Sequence, residues 1–328
     1  MIPGGSNALI LSRLNSVARR CPIQYPPALL PKRHSATRAN LANIHGRNGR
    51  RSLNAMNDSA GANVAVVHFA GRAGDHNDRA MAASPRLAAA LAARFDVETE
   101  TIGEPRPALS TDWDVELEAA RDELTQMQRA YLRLFDDGRA PVTALSRCAV
   151  APATLPVVAR YRPDAVVVWF DAHADLNTPE TTTTGYLGGL ALSAPLGLWD
   201  SGLGSGLRME RAIIAGGRDI DPPEASLIAS TPLTLVEPGT GFAARLADAV
   251  AGRPVYIHID CDVLEPGIVP TDYRIPGGLT LDEFQEAVEA VSGGELVGVE
   301  IGELETETGE EDLAPLLAAL EPALGRLP

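Results

Sequence analysis

The chain is almost without lysine: Lys32 stands alone against 27 arginines, in a composition rich in alanine, glycine and proline. That bias fits the coding habits of a GC-rich genome, and no function follows from it. Residues 1–57 hold no acidic side chain yet carry nine of the 28 basic ones, leaving 19 basic against 43 acidic residues in the remainder. So acidic a body, with no basic stripe, argues against nucleic acid or an anionic membrane as partner, although the basic stretch alone could be drawn to either. No apolar run approaches the ~20 residues that a spanning helix needs. Cys21, Cys148 and Cys261 are too few and too scattered for a disulfide framework, which points to a reducing cytoplasm. Internal repeats are absent.

What is present is an ordinary globular composition, 45% hydrophobic over 328 residues, enough for a substantial core. Residues 1–57 read as a basic extension outside the fold. Being Arg-rich and acid-free they resemble a transit peptide, but Met56 stands directly before NDSAGANVAVVHF, where globular patterning begins, and we favour an upstream start site. Residues 58–328 read as one domain. Short β-branched runs alternate there with helical stretches, at Val64–Phe69, Val97–Ile102, Val142–Leu145, Ala165–Phe170, Ala212–Ala215, Leu233–Val236, Val255–Ile259 and Leu296–Ile301. Most are continuous apolar runs, as expected of strands covered on both faces by helices, so a parallel α/β sheet is predicted. A helix opening at Asp112 and stopped by Gly138 spaces Leu117, Leu124 and Tyr131 among Ala120, Met127 and Leu134, a stripe read as core-facing with an oligomer seam as the alternative. Thr280 and Glu283 form a capping-box pattern. Gly185–Gly206 reads as a long loop or broken helix beside the site.

The chemistry concentrates at three strand ends. FDAHADLNTP (170–179) places Asp171, His173 and Asp175 at alternate positions, so that they point the same way. Oxygen and imidazole donors in that arrangement suit a divalent cation such as Mn or Zn. VYIHIDCDVLEPG repeats the alternation with Asp260 and Asp262, and LVGVEIGELE offers Glu300 and Glu303. Carboxylates at the ends of buried strands are costly without a cation or partner, and the carboxyl ends of such strands are where ligands bind.

DAHADLNTP followed by TTTTG, HIDCDVLEP followed by GGLT, and GGRDIDPPE (216–224) together resemble the ureohydrolases, the arginase and agmatinase family, from about Val64 to the C-terminus. The resemblance implies a three-layer α/β/α fold with an eight-stranded, mostly parallel sheet. It also implies hydrolysis of a C–N bond in a linear amidine or guanidino compound, by a hydroxide shared between metals that attacks the guanidinium carbon. One or two divalent ions per chain are expected, Mn first, with Zn or Ni as alternatives. Asp171 and Asp260 resemble the bridging carboxylates, with His173 and Asp262 completing one metal site and Asp175 binding the other metal and holding the hydroxide. Glu303 falls where the family pairs a carboxylate with the guanidinium, and Asn177, Thr184 and Asp221 fall where it contacts the amino-acid end of the substrate. A homotrimer or hexamer is implied as well.

Three departures qualify this. The family's Gly-Gly-Asp-His run aligns with Leu145-Ser146-Arg147-Cys148, which puts Cys148 in the place of a metal-binding His. Its thiolate could bind Zn or Fe, or Cys148 could be a small buried apolar residue. Gly188 stands where the family has a proton-shuttling His, a loss that typically costs ~10²–10⁴ in rate. The segment TDYRIP (271–276) is also altered, so specificity cannot be transferred. A catalytically impaired protein that binds metal or a guanidino ligand as a regulatory or oligomer subunit is therefore the alternative to an enzyme. His258, one pleat further into the sheet than Asp260, is read as a supporting or core residue, His76 as an ordinary loop residue near the pocket, and Cys261 as packing.

Overall fold

The computed structural model describes Asn63–Pro328; the basic extension assigned to residues 1–57, with its transit-peptide and start-site readings, lies outside the described residues. All eight expected strands are present: β1 (Val64–Phe69), β2 (Thr99–Ile102), β3 (Ala140–Ala144), β4 (Val166–Phe170), β5 (Ala212–Ala215), β6 (Thr234–Val236), β7 (Val255–Asp260) and β8 (Leu296–Gly302). They form one sheet in the order β2-β1-β3-β8-β7-β4-β5-β6, every pair parallel. Between them run α1 (Arg79–Phe95), α2 (Trp113–Asp136), α3 (Ala151–Tyr161), α4 (Pro222–Ser230), α5 (Phe242–Val250) and α6 (Leu281–Val291), with α7 (Ala314–Leu324) last.

The apolar residues divide between two cores, one on each face of the sheet. Leu87 and Leu91 of α1, Leu246 of α5, Phe284 of α6 and Leu320 of α7 pack with Val66, Val168, Ile257 and Val299 on one face. On the other, Leu117, Leu124 and Tyr131 of α2 and Leu155 of α3 pack with Val67, Val167, Trp169 and Tyr256, with Leu227 of α4 alongside. The architecture is thus helix, sheet, helix, and the near-continuous apolar strands follow from having a helical layer on both sides. The stripe on α2 is spent in this second core, which accounts for it without a seam. Thr280 accepts from the Glu283 amide at 3.2 Å while the Glu283 carboxylate accepts from the Thr280 amide, opening α6 as the pattern predicted.

Strand order decides where the site lies. β3 and β4 are consecutive in the chain but are separated in the sheet by β8 and β7. The chain winds outwards in both directions from this gap, and a crevice opens at the carboxyl ends of β3, β8, β7 and β4. Among the described residues no helix is long and apolar enough to cross a membrane.

Candidate active site

Alternation along the central strands carries the acids to one place. Trp169 and Asp171 share the β4 face that looks towards α2 and α3, as His258 and Asp260 do on β7, while Ile259 and Cys261 turn into the opposite core. Asp171 Oδ1 accepts from the His173 amide at 2.6 Å, and its Oδ2 accepts from the Trp169 indole at 2.8 Å. His173 Nδ1 lies 3.2 Å from Asp171 Oδ1 and 3.1 Å from Asp262 Oδ2, so the imidazole sits between the two carboxylates. Asp260 in turn accepts from the Asp262 amide at 2.8 Å, which folds the chain after β7 back over the strand end.

Cys148 opens a short 3₁₀ turn (Cys148–Val150) just beyond β3 and is wholly buried. Its Sγ lies 3.3 Å from Asp260 Oδ2 and 3.1 Å from His258 Nε2. Two groups of potential ligands therefore share Asp171: Cys148, Asp171 and Asp260 in one, and Asp171, His173 and Asp262 in the other. Asp175 and Glu303 adopt left-handed backbone conformations, with φ of 51° and 58°. Such conformations are unfavourable for residues with a Cβ and persist where surrounding structure over-determines them, as it tends to at functional sites.

Electrostatics marks the cluster as short of positive charge. Burial, then Asp171 and other neighbouring acids, pushes the Asp175 carboxyl well above the usual carboxylate range; burial, then Asp262 and Asp171, does the same to Asp260. The Asp262 carboxyl is also raised, by burial and then by Asp171. Burial would lower His173, but the hydrogen bonds to Asp171 and Asp262 outweigh it and push the imidazole up to about 12. Burial first, then Asp260, holds the Cys148 thiol well above its ordinary value.

A cavity of about 160 Å³ opens over these groups, lined by eight of the predicted residues: Cys148, His173, Asp175, Asn177, Thr184, Asp221, Asp260 and Glu303. Asp171 and Asp262 stand behind them. Asn177 Nδ2 donates to Asp221 Oδ2 at 2.8 Å, and Asp221 is also the N-cap of α4, whose Glu224 reaches back to the Leu176 amide and the Asp221 amide. Glu300, offered beside Glu303, is not at the strand end. It lies inside β8 and accepts from His258 Nδ1 at 2.7 Å and the Tyr256 hydroxyl at 2.8 Å, in a fully buried network that does not line the cavity and reaches it only through the contact of His258 with Cys148.

Three residues were missed. Arg147 is fully buried and spends each guanidinium nitrogen on a different carboxylate: Nε on Asp75, Nη1 on Glu303, Nη2 on Glu305. Tyr186 and Tyr273 line the cavity, with the His76 ring 4.3 Å from that of Tyr186 and tilted 34° to it. For Tyr186 the sequence signal was its place two residues before Gly188; in the structure a Cβ at Gly188 would lie 2.3 Å from Tyr186 Cε1.

The sequence model described as the arginase family matches residues 73–320. The chain is also 43% identical over 264 residues to the N(omega)-hydroxy-L-arginine amidinohydrolase of Streptomyces lavendulae, covering 79% of this chain and 97% of that one. The chain belongs to the arginase family. As a member it is a hydrolase of C–N bonds in linear amidines. The arginase of Bacillus cereus superposes with a TM-score of 0.68 at 21% identity, covering 80% of this chain and 97% of that one. Proclavaminate amidino hydrolase of Streptomyces clavuligerus gives 0.58 at 20% identity, covering 80% and 92%. At that identity these two speak for the arginase-like fold alone.

Proposed function

We propose that this arginase-family chain adds water to the amidine carbon of a guanidino amino acid whose head group is N-hydroxylated. The observation that carries the reading is that Glu303 lines a single cavity with Asp175 and Asp260, which follow β4 and end β7. The 43% identical relative named for N(omega)-hydroxy-L-arginine supports the choice of substrate.

The donor set fits divalent metal. Four carboxylates and an imidazole converge, and three of the carboxyls are held above their usual range by burial and mutual repulsion, which cations would relieve. Asp171, His173, Asp175, Asp260 and Asp262 would hold one or two ions, and Mn suits these donors. Cys148 completes the group nearest Asp260, where a soft donor favours Zn or Ni over Mn. Divalent metal in such a site supplies Lewis acidity and water with a lowered pKa.

The remaining work belongs to the chain. Glu303 orients the head group, Asn177, Thr184 and Asp221 face the amino-acid end, and Asp175 takes the proton of the attacking water. Water oxygen adds to the amidine carbon and its second proton passes to the doubly bonded amidine nitrogen; the bond to the alkyl nitrogen then breaks, and the departing amine leaves with the proton that Asp175 held. From an N-hydroxyguanidine the products are hydroxyurea and the free amine; from a guanidine they are urea and the amine. A reducing cytoplasm, where Cys148 and Cys261 would stay free as they are here, and a homo-oligomer are part of the same proposal. The test is amine release from guanidino amino acids by the full chain, stripped with chelator and reloaded with Mn, Zn or Ni, beside Asp260→Asn. Release that requires both added metal and Asp260 supports the reading; metal-independent release contradicts it.

A further inference from the structure

Glu303 does not offer a free carboxylate to the cavity. Its Oε2 lies 2.6 Å from Arg147 Nη1, while its Oε1 accepts from the Cys148 amide at 2.9 Å and faces the Tyr186 hydroxyl at 3.4 Å. Arg147 cannot swing aside, since Asp75 at 2.9 Å and Glu305 at 2.9 Å hold its other nitrogens, and the side chain is closed to solvent. The two-oxygen fork by which a carboxylate best grips a guanidinium is thus already half taken by a guanidinium of the protein. A cationic head group brought to Oε1 would also meet the positive charge of Arg147 just behind it.

The other oxygen has acquired a neighbour. Gly188 has no side chain, and the space a Cβ would fill is occupied by the Tyr186 ring, with Cε1, Cζ and Oη at 2.3, 2.6 and 2.9 Å from that point. Only glycine at 188 lets the phenol lie there and bring its hydroxyl to Glu303. Burial, followed by the charge of Glu303, holds this phenol well above its ordinary pKa, so the hydroxyl keeps its proton and both donates and accepts.

We propose that Arg147 and Tyr186 set the head-group specificity of the cavity: Glu303 Oε1 and Tyr186 Oη form a mixed acceptor and hydroxyl pair that selects an N-hydroxyguanidine over a guanidinium. The electronegative hydroxyl makes an N-hydroxyguanidine a much weaker base than a guanidine, so it can enter uncharged and needs no counter-carboxylate. Its N–H meets Oε1 and its N–OH meets the phenol. A site built around a substrate hydroxyl discriminates against the analogue that lacks one, because its own polar group is then left unpaired.

This inference rests on the reading of the cavity as an amidine hydrolase site, and two readouts separate them. In the full chain reloaded with Mn, Tyr186→Phe keeps the ring that fills the space at Gly188 and removes only the hydroxyl. The ratio of kcat/KM for N-hydroxy-L-arginine to that for L-arginine should fall about tenfold, as expected for one hydrogen bond. In parallel, calorimetric binding of N-hydroxyguanidine and guanidine should show the same fall in their affinity ratio. Wild type that turns over neither amino acid sinks the hydrolase reading, and the calorimetric ratio then still decides the specificity claim. A ratio unmoved by Tyr186→Phe in both measurements overturns it.

Discussion

His258 lies flat against Trp169, their ring centroids 3.4 Å apart and their planes 2° from parallel. Stacked in this way, and fixed at Nδ1 by Glu300 at 2.7 Å, the imidazole aims Nε2 at Cys148 Sγ 3.1 Å away. The row continues behind Glu300 into the Tyr256 and Tyr131 hydroxyls and Thr143. A thiol at the cavity is therefore held from behind by a satisfied polar network running through the sheet.

Breaking that row should be expensive. His258→Ala leaves Glu300 short of a partner in a site closed to solvent and opens a space against Trp169, so a loss of about 3 kcal/mol or more is expected in denaturant unfolding. Tyr131→Phe, at the far end, should cost about 1 kcal/mol. Equal costs for the two would show that the row is not anchored at His258.

The acids at the strand ends should trade stability against metal affinity. Asp260→Asn removes one member of a self-repelling buried group, so the chelated variant should unfold at higher denaturant than chelated wild type. Its metal affinity should fall at least 100-fold, since even supporting partners of metal ligands are worth 10–100-fold. Titration calorimetry and unfolding curves on the same preparations check both signs.

His68 gives a pH dependence away from the cavity. It is buried in β1, with Nε2 2.9 Å from the Ser84 hydroxyl, and burial lowers its pKa from 6.5 to about 4. Between those values the unfolded chain binds a proton that the folded chain refuses. The contribution is complete above about pH 6.5 and is lost as pH falls towards 4, by up to about 1.4 kcal/mol per unit. His68→Gln should flatten the stability profile between pH 6.5 and 4; an unchanged slope would assign the acid sensitivity elsewhere.

Gly188 and Tyr186 should behave as one unit. Gly188→Ala puts a methyl where the phenol lies and should cost about 1–3 kcal/mol. Tyr186→Ala empties that space, so adding Gly188→Ala to it should cost far less, with a coupling of about 0.5–3 kcal/mol in a double-mutant cycle. Additive costs would mean that the ring is elsewhere in solution.

What could be read from the sequence follows from what local pattern encodes. The strands were legible because most are short apolar runs closed by a change of period, although β2, reading TETI, is not. The acids of β4 and β7 were legible because alternate residues share a face. Glu300 was misplaced because Glu300 and Glu303 look alike in one dimension. Only the end of β8 at Gly302, and the left-handed turn at Glu303, separate a core acid from a cavity acid. Arg147 carried no motif, and its three partners lie 72, 156 and 158 residues away in the chain. The contact of His258 with Cys148 spans 110 residues and depends on the strand order, which periodicity does not encode.

In the proposed reaction one cavity adds water to an amidine carbon. Its most direct test is turnover of N-hydroxy-L-arginine by the Mn-reloaded full chain in ¹⁸O-labelled water, with both products followed by mass spectrometry. Label is expected in the carbonyl of the hydroxyurea, with an unlabelled amino acid amine released in equal amount. Label in the amino acid product, or no release under metal-saturated conditions, would contradict it.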